Sequence, residues 1–126
     1  MKILNNRLMQ NLVFSPDFDV ETFEFLPKEK KLKIVIEGAW LEEDQLGRGV
    51  LYFNDWANLS IRKYDSDADR WSDLNGSGIE SLKDFCEVVF ADATICISGF
   101  GTKTGQWVEW KIQNAKMHAE FDELLR

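Results

Sequence analysis

The sequence predicts a mainly β fold, an antiparallel β-sandwich or flattened barrel of about seven to eight strands with at most one or two short helices. Two observations predict it. Apolar and polar residues alternate over short segments, as in strands with one buried and one solvated face. Turn-forming residues separate these segments at short intervals. The chain has 126 residues, 44% hydrophobic and 29% charged, which fits one folded domain over residues 1–126.

The first half of the chain is predicted to contain strands separated by polar turns. Residues 1–15 fit either a short helix or an extra edge strand. The alternation within residues 17–26 breaks between Val20 and Phe23, which indicates a bulge or a bend. The strands predicted in this half are 17–26, 31–40, 50–53 and 56–64, with turns at 28–31 and 42–49.

Residues 65–81 are rich in Asp, Ser and Gly and are predicted to form the longest loop. A short helical turn is expected near residues 80–83. One helix over residues 79–90 is an alternative, but the run Val-Val-Phe at 88–90 favours a strand from Phe85 onward.

Two hairpins are predicted in the last third of the chain. In the first, residues 85–90 pair with residues 93–100 around a turn at Ala91-Asp92. This register gathers the apolar side chains on one side and turns Cys86 and Cys96 to opposite faces, so we expect no disulfide between them.

In the second hairpin, residues 106–113 pair with residues 116–122 around Asn114-Ala115, and a helix over 116–126 is the alternative. The register places the apolar side chains of both strands on one face. The opposite, polar face then brings together Trp107, Glu109, Lys111, His118 and Glu120.

Charge and hydrophobicity exclude several classes of partner. Fifteen basic and 22 acidic residues give a net charge of −7, and nucleic acids and anionic membranes repel such a protein. No stretch approaches the roughly 18 apolar residues of a membrane span. Residues 1–7 lack the apolar segment of a secretory signal, so we expect a cytoplasmic protein.

The chain also offers few residues for catalysis. His118 is the only histidine, which disfavours a Ser-His-Asp device and excludes a histidine-rich metal site. Cys86 and Cys96 do not form a CxxC pair and are expected to be buried thiols. No pair of carboxylates stands out, so a hydrolase that uses two carboxylates is a third, lower possibility. We expect a protein that is not an enzyme and uses no cofactor.

Two motifs have structural explanations. The glycine-rich run 99–105 precedes a predicted strand and lacks the Gly-Lys-Ser/Thr ending of a phosphate-binding loop, so we interpret it as a hairpin loop. Asp65, Asp67 and Asp69 match the first ligand positions of a calcium loop, but Arg70 stands where that loop needs glycine. These carboxylates are weak candidates for a calcium site, and a solvated acidic loop is the preferred interpretation.

Five tryptophans are many for a chain of this length. Trp40 and Trp110 fall on predicted core faces and are expected to be packing residues. Trp56, Trp71 and Trp107 fall elsewhere and are candidates for recognition, because an exposed Trp offers a large contact area at low entropic cost.

Acidic residues cluster at 17–21, 42–44 and 65–73. Such clusters are usually solvated loops. They would also form an anionic surface that attracts a basic partner and makes the association fast and sensitive to salt.

The segments LKDFCE at 82–87 and GFGTKTGQWVEW at 99–110 carry a resemblance, and KLKIVIEGAWL at 31–41 is similar in style. Here the chain resembles small bacterial all-β proteins, some of which look like immunity proteins of polymorphic toxin systems. The resemblance implies a cytoplasmic protein that binds and neutralises a partner toxin, and it implies no particular site residues.

We therefore expect a binding protein that occludes the active face of a protein partner, such as a basic toxin domain. The expected surface is the polar face of the final hairpin, with Trp71 on the loop beside it. The main alternative is a module for a small molecule or a carbohydrate, in which Trp56, Trp71 or Trp107 stacks on the ligand and the acidic loop holds calcium. A homodimer interface at Trp107 is a further alternative.

Overall fold

Two antiparallel β-sheets face each other across an apolar core in the computed structural model, which describes residues 2–5 and 10–123. The prediction of a mainly β, antiparallel fold is confirmed. The strands are, in chain order, β1 (Lys2–Asn5), β2 (Leu12–Val13), β3 (Val20–Leu26), β4 (Lys31–Ile36), β5 (Ala39–Leu41), β6 (Asp44–Asn54), β7 (Asn58–Asp65), β8 (Arg70–Asp73), β9 (Glu87–Ala91), β10 (Thr94–Phe100), β11 (Trp107–Gln113) and β12 (Lys116–Glu123). Single 3-10 turns lie at Pro27–Glu29 and Gly76–Gly78.

The sheets differ in size. The seven-stranded sheet has the order β1-β12-β6-β4-β3, with β5 paired to β6 and β2 paired to β5. The five-stranded sheet has the order β8-β7-β11-β10-β9. Between them, the ring of Trp110 meets the rings of Phe23 and Phe25 edge to face, at 4.8 and 5.0 Å between centroids. Within the described residues, no helix has the length and apolar character needed to cross a membrane.

The described residues contain more strands than the predicted seven to eight, and they do not form one closed barrel. The predicted loop at 42–49 is wrong, because β6 begins at Asp44 and only a tight turn remains before it. Gly49 is needed inside this strand, since a Cβ there would lie 2.2 Å from the ring of Phe121. The predicted loop at 65–81 contains the short strand β8.

Three local predictions are resolved near the sheet edges, and for residues 1–15 the structure shows the edge-strand alternative. Lys2–Asn5 is an edge strand paired with β12, whereas residues 1 and 6–9 of the same predicted stretch lie outside the described residues. The register of β3 shifts between Val20 and Thr22, where the bulge was predicted. Residues 87–91 form a strand and not part of a helix.

The β9–β10 hairpin exists, but its predicted turn is wrong by one residue. The turn is Asp92-Ala93, and both residues have positive φ, at 50° and 60°. Phe90 therefore lies opposite Ile95. Two left-handed residues in succession define a type I′ turn, for which Asn-Gly and Asp-Gly are the usual sequences. Asp-Ala carries no such signal.

The predicted hairpin of residues 106–113 with 116–122 is wrong. β11 pairs with β10 on one side and β7 on the other, so both of its hydrogen-bonding edges are filled. β12 instead pairs with β6 and β1 in the other sheet. The chain crosses between the sheets at Asn114-Ala115, and Ala115 is buried in the core rather than solvated in a turn. The helix alternative for 116–123 is also wrong, and 124–126 lie outside the described residues.

Residues 79–86 run extended between the two sheets, so the helical turn predicted near 80–83 is wrong. Leu82 forms a bridge with Gly101 beside the end of β10, and the carbonyl of Lys83 accepts the N–H of Val20 at the start of β3. Leu82 and Phe85 are buried in the core. This segment therefore connects the edge of one sheet to the other.

Candidate functional site

Four large aromatic side chains lie in register across the outward face of the five-stranded sheet. Trp71 on β8 is opposite Tyr64 on β7, Tyr64 is opposite Trp107 on β11, and Trp107 is opposite Phe100 on β10. We call these four residues the aromatic row. Trp71 and Phe100 are 40% and 41% exposed, and Tyr64 and Trp107 are half-buried between them. The row thus places four aromatic side chains at neighbouring positions on the solvent-facing side of the sheet.

The rings of the aromatic row are inclined to one another. Tyr64 and Trp71 have centroids 5.4 Å apart and planes at 55°, and Phe100 and Trp107 meet edge to face at 5.5 Å and 86°. Edge-to-face contacts of this kind stabilise a pair of rings by about 0.5–1.5 kcal/mol beyond the area they bury. Each ring is therefore held by a neighbouring ring.

A charged pair lies in the next row of the same face. Arg62 Nε donates to Glu109 Oε1 at 2.9 Å, and its guanidinium carbon lies 3.9 Å from the centroid of the Trp71 ring. The arginine therefore ties β7 to β11 and covers one face of Trp71. Lys111, two residues along β11, is exposed on the same side.

The hairpin loop between β7 and β8 places carboxylates at the end of the aromatic row. Asp65 Oδ1 accepts the backbone N–H groups of Asp67 and Ala68, at 3.0 and 3.2 Å. The Tyr64 hydroxyl donates to Asp69, and this hydrogen bond is the main cause that raises the pKa of Tyr64 above its ordinary value.

Carboxylates that are weak calcium candidates have other hydrogen-bond partners in this loop. Two of its three candidate carboxylates are engaged in closing the turn and in holding Tyr64. Across the described residues, no three His, Cys, Asp or Glu side chains come together in a way that suits a metal ion. Asp67 and Asp69 are exposed, and Asp65 at the end of β7 is half-buried.

A buried carboxylate orders the glycine-rich loop between Phe100 and Trp107. Glu80 is 1% exposed, and its Oε1 accepts the backbone N–H groups of Lys103 and Thr104, at 2.7 and 2.6 Å. The Thr104 hydroxyl lies 3.0 Å from the other carboxylate oxygen. A Cβ on Gly101 would lie 2.2 Å from Glu80 Oε1, so a larger residue there would displace this carboxylate. The backbone N–H groups of this loop therefore bind the Glu80 carboxylate of the same chain, in the way that such loops bind external anions.

The structure divides the predicted binding residues between two opposite surfaces. Trp107, Glu109 and Lys111 project from the five-stranded sheet, with Trp71 beside them. His118 and Glu120 project from the seven-stranded sheet, because β12 belongs there. The predicted five-residue surface is therefore wrong.

His118 and Glu120 form a small polar cluster of their own. Nε2 of His118 lies 3.2 Å from Glu120 Oε1, and the imidazole packs 5.8 Å from the ring of Tyr52. This cluster is half-exposed, and it lies across the core from the aromatic row.

The remaining tryptophans divide differently from the prediction. Trp110 is buried in the core, as predicted. Trp56, a predicted recognition residue, is buried as well and stacks on Phe25 at 6.0 Å. Trp40, a predicted core residue, is exposed, because the chain breaks between β4 and β5 and the side-chain alternation restarts.

Both cysteines are free thiols. Cys86 Sγ donates to Asp84 Oδ1 at 3.3 Å, and burial together with this carboxylate raises the pKa of the Cys86 thiol to about 11. Burial, with Glu109 nearby, raises the pKa of Cys96 as well. At neutral pH both groups are protonated and unreactive.

Sequence reasoning missed Tyr64, Phe100 and Arg62. Their alternation along β7 and β10 places them on outward faces, but only the β7–β11 and β10–β11 registers bring them beside Trp107.

No protein-family model, curated protein or solved structure matches this chain.

Proposed function

We propose that this protein binds a partner protein through the aromatic row and acts by covering the partner's surface. The observation that carries the proposal is the row itself, Trp71, Tyr64, Trp107 and Phe100 side by side on one sheet face. Trp and Tyr are enriched among the residues that contribute most to protein–protein binding. An immunity-type role, in which the partner is a toxin domain that this protein neutralises by occlusion, fits this mode of action.

The packing of the row favours tight binding. The ring contacts of Trp71 with Tyr64 and of Trp107 with Phe100 restrict these side chains before any partner arrives. Side chains that are already ordered lose little conformational entropy on binding, so more of the contact energy appears as affinity.

Charge favours a basic partner. The net charge is −7, and Asp65, Asp67 and Asp69 lie at the Trp71 end of the row. Opposite charges accelerate the encounter of two proteins, and salt screens this effect. We expect the association rate to fall as ionic strength rises.

The experiment begins with affinity capture on the full chain from a lysate of the cells that produce it, followed by calorimetry with the purified captured protein. Trp107→Ala should weaken binding by about 2–4 kcal/mol. Trp40→Ala is the matched control, since Trp40 is an exposed tryptophan on the other sheet. Thermal unfolding checks that both variants fold. Equal affinity of the two variants would show that the aromatic row is not the binding surface.

A carbohydrate or small-molecule ligand is the second candidate, and exposed Trp71 is the observation that favours it. The surroundings of Trp71 are less suited to stacking on a flat sugar ring, because the ring of Tyr64 is inclined to it and Arg62 already covers one face of the indole. Titration of a sugar panel followed by tryptophan fluorescence distinguishes the two. A saturable change that Trp71→Ala abolishes would favour the carbohydrate.

A further inference from the structure

We propose that two copies of this chain pair along β9, antiparallel and centred on Val89, so that their five-stranded sheets join into one sheet of ten strands. Among the described residues, β9 lies at the end of its sheet and pairs with β10 alone. An edge strand presents unpaired N–H and C=O groups that can pair with another strand. The inference is independent of the proposed function, because it uses a different surface.

Two other sheet edges, β3 and β8, carry features that protect natural edge strands. β3 has Glu21 and Glu24 along it and a register shift near its start. β8 is only 4 residues long and has a charged residue at each end. Short length, charge and bulges all discourage pairing with another chain.

β9 is less protected, because its one charge, Glu87, lies at its start. Its sequence is Glu-Val-Val-Phe-Ala, and no charge or proline interrupts residues 88–91. Val89 is 55% exposed, although it is a β-branched apolar residue on a strand. Such a strand favours pairing with a second strand that covers it.

The hydrogen bonds at this edge follow from the β9–β10 turn. Asp92-Ala93 is a two-residue type I′ turn, so the pair that closes it, Ala91 and Thr94, is hydrogen-bonded. Hydrogen-bonded and non-bonded pairs alternate along an antiparallel ladder. The backbone groups of Val88 and Phe90 therefore point away from β10, toward the open edge.

A two-fold axis at Val89 matches these groups. Val88 of one copy then lies opposite Phe90 of the second copy, and the two such pairs form four backbone hydrogen bonds. The exposed Val89 side chains of the two copies contact each other on the outward face and become buried. Glu87 lies opposite Ala91, so no like charges face each other within the paired segment.

The pairing has a consequence for recognition. Directly opposite residues of an antiparallel pair share one face of the sheet. Both aromatic rows would therefore open on the same side of the ten-stranded sheet, and the dimer would present two copies of the candidate binding surface.

Sedimentation equilibrium of the full chain over a wide concentration range tests the proposal. We expect a monomer–dimer equilibrium and at least about tenfold weaker dimerisation for Val89→Lys, which places like charges opposite each other at the axis. Val13→Lys is the matched control, because Val13 is an exposed strand valine, 59% accessible, that belongs to the other sheet. It should dimerise like the original chain.

Amide hydrogen exchange on the unaltered protein provides the second measurement. The amides of Val88 and Phe90 should become protected as concentration rises, whereas that of Val89 should be protected throughout. A chain that stays monomeric at high concentration would overturn the proposal. So would a dimer that Trp107→Ala disrupts and Val89→Lys does not, since the aromatic row would then be the dimer interface.

Discussion

Replacing Glu80 by alanine tests how the loop beside the aromatic row is held. The carboxylate is buried and accepts hydrogen bonds from the backbone N–H groups of Lys103 and Thr104 and from the Thr104 hydroxyl. Phe100 and Trp107 flank this loop, so its conformation determines where β10 ends and β11 begins, and with them the positions of two members of the row.

The expected loss follows from these contacts. A hydrogen bond to a charged group contributes about 1.5–3 kcal/mol. The full value does not apply to every donor here, because residues 102–105 are exposed and the released N–H groups can bond to water. Removing the carboxylate also removes the cost of burying it. We expect Glu80→Ala to lower the free energy of unfolding by about 2–4 kcal/mol.

Glu80→Gln distinguishes the contribution of the negative charge from that of the hydrogen-bond acceptor. The amide oxygen can still accept the two backbone N–H groups, so the expected loss is smaller, about 1–2 kcal/mol. Urea unfolding followed by tryptophan fluorescence is a suitable assay, because the Trp110 indole N–H donates to the Glu80 carbonyl at 3.1 Å.

Glu43→Ala is the control for this series. Glu43 is an exposed acid in the turn before β6, and its replacement should change stability by no more than about 0.5 kcal/mol. If Glu80→Ala is no more destabilising than Glu43→Ala, the buried carboxylate does not organise the loop and the reasoning fails.

Three further substitutions test other contacts. Gly49→Ala should destabilise by about 1–3 kcal/mol in urea unfolding, since its Cβ would press on the ring of Phe121, and an unchanged midpoint would contradict this packing. Ala93→Gly should stabilise by up to about 1 kcal/mol in thermal unfolding, because glycine relieves the positive φ of 60°, and a loss would argue against the turn geometry. The pKa of Cys86 is about 11 in the folded state, against its ordinary value of 9.0. Because the folded state keeps this proton where the unfolded state has lost it, the free energy of unfolding should fall as pH rises from 9 through 11. Cys86→Ala should flatten that decline, and an equally steep decline in the variant would assign it to another group.

Alternation along single strands predicted much of the fold. Val108, Trp110 and Ile112 were assigned to one apolar face of a strand, and all three are buried. The same logic failed wherever the chain broke its alternation. The restart at β5 turned Trp40 outward, and Trp56 lies between two strands, where it packs on Phe25.

Partner strands were harder to predict than strand faces. Residues 106–113 and 116–122 have matching apolar patterns, so a hairpin and a crossing between sheets bury the same side chains. The choice depends on which edges of β11 are already occupied, and β7 and β10 fill both. That information lies in residues far along the chain, so a local pattern does not contain it.

The crossing at Asn114-Ala115 also determines which residues can act together. With β12 in the other sheet, His118 and Glu120 lie across the core from Trp107, and no partner that covers one flat face can contact both groups. The position beside β11 that was predicted for β12 is taken by β7, which brings Tyr64 next to Trp107, and β10 on the other side brings Phe100. The surface expected from the sequence thereby loses His118 and Glu120 and gains two aromatic rings beside Trp107, while Glu109 and Lys111 stay on the same face. Desolvating aromatic side chains carries a smaller penalty than desolvating charges, so this exchange strengthens the case for recognition on the five-stranded sheet.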